Sequence, residues 1–62
     1  MPHNSKVYIQ GQLRQIKIKG DEMLEAIDRG DRNEALNLTR DIDTIIVRIR
    51  QDVANNMTQK PK

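Results

Sequence analysis

One dipeptide governs how this chain can fold: Gly30-Asp31. Glycine tolerates the left-handed backbone that ends a helix, aspartate caps the start of the next, and Glu34 three residues on has the spacing of a capping box. The expectation is one domain over residues 1–62: a helix over about 5–29, a turn at 30–31, and a second helix over about 32–56. Residues 57–62, with Lys60-Pro61-Lys62, read as a loose tail.

The apolar residues on either side of that turn run as mirror images. Read in heptads, the first half places Ile9, Leu13, Ile16, Gly20, Met23 and Ile27 on one seam, and the second places Ala35, Leu38, Ile42, Ile45 and Ile49 on another, with Val53 close behind. Folding the chain at 30 and 31 sets Ile27 against Ala35, Met23 against Leu38, Gly20 against Ile42, Ile16 against Ile45 and Leu13 against Ile49. On the flank, Lys19 falls across from Asp41. The fold class is therefore all-α, an antiparallel helical hairpin.

A second reading of the first half competes with this one. Lys6-Val7-Tyr8-Ile9 and Gln15-Ile16-Lys17-Ile18-Lys19 alternate and are rich in β-branched residues around Gly11, the pattern of a β-hairpin. Strands there would leave Ile42, Ile45 and Ile49 without counterparts, which favours the helix. Each of Gly11 and Gly20 weakens a helix by about 1 kcal/mol relative to alanine. On the seam, Gly20 is expected to make room for Ile42, whereas Gly11 points to close approach by a neighbour or ligand.

Apolar residues remain beyond the seam. Ile46 and Val53 form a second stripe, Leu24 continues it on the first helix, and Val47 and Ile18 lie further out. With 62 residues, 35% of them hydrophobic, and Tyr8 the sole aromatic, the chain has little bulk for a self-sufficient core. Leu24, Ile46 and Val53 are thus expected to lie between copies, in a homo-oligomer that closes a helix bundle as a dimer or tetramer.

The composition excludes much chemistry. Cysteine is absent, so disulfides and thiolate metal sites are ruled out. His3 is the single histidine and sits beside Ser5 without a partner for nucleophilic catalysis. Glu22 and Glu25 resemble half of the magnesium motif of all-helical nucleotide pyrophosphohydrolases, but the matching E-x-x-D on a later helix is missing, so a solvated acidic face is the plainer account. The chain is expected to be no enzyme, to carry no metal or cofactor, and, lacking a membrane-length apolar run or a signal-peptide core after Met1, to be cytoplasmic.

Charge is sorted along the sequence. Residues 1–20 carry a net +4, residues 21–43 a net −5 and residues 44–62 a net +3. A hairpin therefore has a basic open end and an acidic turn end. Two explanations fit: copies lie antiparallel so that opposite ends meet, or the basic end holds an anion. For the second, the candidate ligand-binding residues are Lys6, Tyr8, Gly11, Arg14, Lys17, Lys19, Arg48 and Arg50. Cations early in the first helix oppose its dipole, which calls for an acidic neighbour or a bound phosphate, and Tyr8 can stack on a base.

With this size, the Gly30-Asp31 hairpin and a basic end bearing Tyr8, the chain resembles the very small phage-encoded sponge proteins of the anti-CBASS type. That resemblance implies a cytoplasmic anti-defence oligomer that holds cyclic di- or trinucleotides in basic pockets between subunits. In hairpin plan it also resembles plasmid copy-number regulators, which pair two helical hairpins and bind RNA hairpins. A third expectation is an adaptor or inhibitor that lays its apolar helix face on another protein.

Overall fold

The computed structural model describes residues 4–57 as two long helices, α1 (Ser5–Asp28) and α2 (Arg32–Asn56), packed as an antiparallel hairpin. The residues called a loose tail lie outside the described residues from 58 onward, as does His3. α1 starts where Asn4 caps it, its side chain accepting the Val7 N–H at 3.2 Å. It then runs unbroken through Gly11 and Gly20, so the β-hairpin reading of residues 6–19 is excluded.

The turn follows directly from Gly30. At φ +73 it occupies the left-handed region, and its N–H reaches the Ile27 carbonyl at 3.0 Å while the Asp31 N–H reaches that of Ala26 at 2.8 Å. These two bonds make a Schellman motif, which satisfies carbonyls that the end of α1 would otherwise leave open. Asp31 then caps α2, accepting the Glu34 N–H at 3.1 Å. The reciprocal arm of the expected capping box has no donor to take, because the Asp31 N–H is already committed to Ala26.

The seam of α2 is as expected, with Leu38 and Ile45 buried and Ala35, Ile42 and Ile49 half-buried. The seam of α1 is rotated by one residue. Leu13 and Ile27 are 52% and 57% exposed, while Gln12 is half-buried and Ala26 is fully buried at 0%. The reason lies at the turn: with only residues 29–31 between the helices, they approach closely there, and Ala26 fits where the larger Ile27 would hold them apart. From Ala26 the alternation of three and four leads back through Met23, Lys19, Ile16, Gln12 and Ile9.

Two further corrections concern Gly20 and Val53. Gly20 does not make room for Ile42, since a Cβ built there meets nothing within 4 Å. Gly11 is likewise approached by nothing within the hairpin. On α2 the same alternation carries past Ile49 to Asp52, which is buried, rather than to Val53, which is 41% exposed. Lys19 and Asp41 do meet, at 3.5 Å.

Candidate functional site

Because α1 and α2 run antiparallel, residues one step after the inward positions 12, 19, 26, 45 and 52 share one flank of the hairpin. Residues one step before 9, 16, 23, 42 and 49 share the other. The two flanks differ in chemistry. The first carries Leu13, Ile27, Ile46 and Val53, continued outward by Leu24 and Leu36, all of them exposed. The second is polar along its whole length, and three open clefts lie on it.

The middle cleft is lined by Gln12, Gln15, Lys19, Asp41, Thr44, Ile45 and Arg48. Toward the open end, Arg48 also lines a second cleft with Tyr8, Gln51, Asp52, Asn55 and Asn56. Arg48 thus stands at the junction of both. Lys19 spends much of its field on Asp41, whereas among the described residues Arg48 forms no ion pair. Thr44 donates its hydroxyl to the Arg40 carbonyl at 3.1 Å and offers the cleft only an acceptor. The buried Asp52 carboxylate accepts from the Asn56 amide at 2.8 Å, which fixes the floor of the second cleft.

The turn-end cleft is lined by Glu22, Glu25, Arg29, Glu34 and Leu38. The two glutamates of the E-x-x-E therefore face one groove together. No group of three or more metal-ligating side chains is assembled among the described residues. Arg29 is turned toward Asp31, 3.9 Å away.

The eight cation-end candidates are not brought to one place by a single hairpin. Tyr8, Lys19 and Arg48 share the polar flank. By helical position Lys6, Lys17 and Arg50 border the apolar flank, the half-buried Gly11 borders the polar flank between Tyr8 and Gln15, and Arg14 lies on the outer surface of α1. Gln12, Gln15, Gln51, Asp52, Asn55 and Asn56 were not among the expected site residues. The signal for Asp52 and Gln12 was the three-four alternation itself, which reaches Gln12 when it is anchored on Ala26 and Asp52 when it is carried past Ile49. No helix is long and apolar enough to cross a membrane among the described residues.

No protein family, curated protein or solved structure matches this chain.

Proposed function

We propose that this protein is a non-catalytic, self-associating binding module whose polar flank takes a small phosphate-bearing ligand of nucleotide type, a cyclic oligonucleotide being the leading candidate. The observation that carries the reading is the position of Arg48, a guanidinium that forms no ion pair among the described residues, at the junction of two open clefts. A planar guanidinium matches phosphate oxygens with two parallel hydrogen bonds. Around it Gln12, Gln15, Gln51 and Asn55 supply amides able to read a base edge, and Tyr8 supplies a ring for stacking.

In this reading the site lies within one hairpin instead of between subunits, with Lys6, Lys17 and Arg50 set apart from it. RNA binding of the copy-number-regulator kind draws less support, because the cations divide between two flanks instead of forming one stripe along the rod. An adaptor role draws on the exposed apolar flank instead. The sequestering role in anti-defence rests on the resemblance to the phage sponge proteins alone, and the cytoplasmic setting on the sequence expectation.

The test is calorimetric titration of cyclic di- and trinucleotides into the native chain and into Arg48→Glu, with circular dichroism and mass followed in parallel. Binding heat that disappears in Arg48→Glu, with helicity and mass unchanged, is the expected result. Absence of heat from every nucleotide in the native chain overturns the reading.

A further inference from the structure

The hairpin leaves its own core unfinished. Only Ala26, Leu38 and Ile45 are buried apolar residues, while ten large hydrophobics between Val7 and Met57 are exposed among the described residues. Six of the ten, Leu13, Leu24, Ile27, Leu36, Ile46 and Val53, fall on one flank, beside the half-buried Ile9, Ile16, Met23, Ile42 and Ile49. Thr39 on the same flank donates its hydroxyl to the Leu36 carbonyl at 2.6 Å, so it can be covered without leaving a donor unmet.

From this flank we infer that a second copy of the chain docks on it antiparallel, turn end over open end, closing a four-helix bundle. The inference rests on the self-association in the reading above and specifies its face and direction. Three observations converge on it. A flank 20 Å wide and about 36 Å long, at ~1.5 Å per residue of α1, offers roughly 700 Å², close to the ~800 Å² per partner of a standard interface.

Shape is the second observation. An antiparallel two-fold stacks α1 on α1 about its midpoint between Ile16 and Lys17, which brings Leu13 of each copy level with Gly20 of the other. Gly20 has open space where its side chain would be, so it is a hole of the right kind facing a knob. The same operation on α2 brings Val53 level with Ala35. There it enters the largely apolar cleft under the turn that is lined by Ile27, Gly30, Asp31, Arg32, Ala35 and Leu36.

Charge is the third. The net −5 of residues 21–43 comes to lie along the partner's residues 4–20, net +4, and 44–57, net +1, and Lys6 comes level with the partner's Asp28 and Asp31. A parallel two-fold would instead crowd like charges at both ends. The arrangement leaves the Arg48 groove on the outer surface of the bundle, away from the contact.

Because the chain has no cysteine, a nitroxide attached through Asp28→Cys, on the exposed outer side of α1, reports on the turn alone. Double electron–electron resonance in nucleotide-free buffer should give a turn-to-turn distance of roughly 35 Å or more for helices of this length. A separation below about 20 Å, the width of a few packed helices, or no dipolar signal together with a monomeric mass, would overturn the inference. Gly20→Leu should raise the dissociation constant at least tenfold, with helicity kept at protein concentrations well above that constant; an unchanged constant would remove the Leu13 contact. Failure here is separable from failure of the ligand reading. A monomer that still gives nucleotide heat sinks the bundle alone, and an antiparallel dimer that gives none sinks the groove alone.

Discussion

The two flanks of the hairpin are built from the same two helices, yet they present different surfaces to solvent. The polar flank carries clefts lined by amides, carboxylates and guanidinium groups, with each helix supplying the residue just before its inward one. On the apolar flank, the residue just after the inward one is Leu13, Gly20 or Ile27 on α1 and Thr39, Ile46 or Val53 on α2. A shift of two positions along the sequence therefore crosses from a wettable surface to one that water covers poorly. The difference teaches that one seam between two helices is enough to separate an apolar surface from a polar, cleft-bearing one.

The sharpest way to break that contrast is to place the same new charge on each side. Ile46→Asp sets a carboxylate on the apolar flank and should cost on the order of 3 kcal/mol, dissociating and unfolding the protein together. Gln51→Asp on the polar flank should change stability by less than about 0.5 kcal/mol. Sedimentation equilibrium with circular dichroism reads both. Equal effects would erase the distinction between the flanks.

The seam between them can be tested next. Ala26 is 0% exposed, so Ala26→Leu should force the helices apart at the turn and destabilise by about 1 to 3 kcal/mol. Ile27→Leu beside it should be nearly neutral for the hairpin. A reversal of that order, read by urea denaturation, would restore the seam that runs through Leu13 and Ile27.

The smallest effect belongs to the polar flank. Lys19 and Asp41 are 3.5 Å apart with side chains 31% and 53% exposed. A partly exposed pair of this kind contributes only about 0.2 to 1 kcal/mol. Lys19→Ala should lower stability within that range, and a double-mutant cycle with Asp41→Ala should recover a coupling that shrinks in raised salt.

Much of the fold was legible because its signals are local. Gly30 marks the turn by its φ, Asp31 by its cap, and the helix limits of 5–29 and 32–56 lie within one residue of those observed. The phase of α1 was harder to read. Two heptad frames share Ile9, Ile16 and Met23, and hydrophobicity alone favours the one that adds Leu13 and Ile27. What decides is the volume available beside a three-residue turn, a packing quantity that selects Ala26 over a larger neighbour. Asp52 was missed for the same reason, since Val53 is the more apolar of the two.

The candidate site inherited that phase error. The basic open end can be counted from the sequence, but its division between flanks depends on which residue faces inward. With α1 rotated by one position, Tyr8, Lys19 and Arg48 fall together and Lys6, Lys17 and Arg50 fall beside the apolar flank. The amides around Arg48 went unnoticed because glutamine and asparagine acquire meaning only when a fold gathers them.

The central claim is that the apolar flank is completed by another copy of the chain. Thermal unfolding followed by circular dichroism over about a thousandfold range of protein concentration tests it most directly, since association with the folded state makes the midpoint depend on concentration. The account predicts a midpoint that climbs steadily with concentration and a helical signal that fades on dilution. A midpoint independent of concentration, from a fully helical monomer, would contradict it.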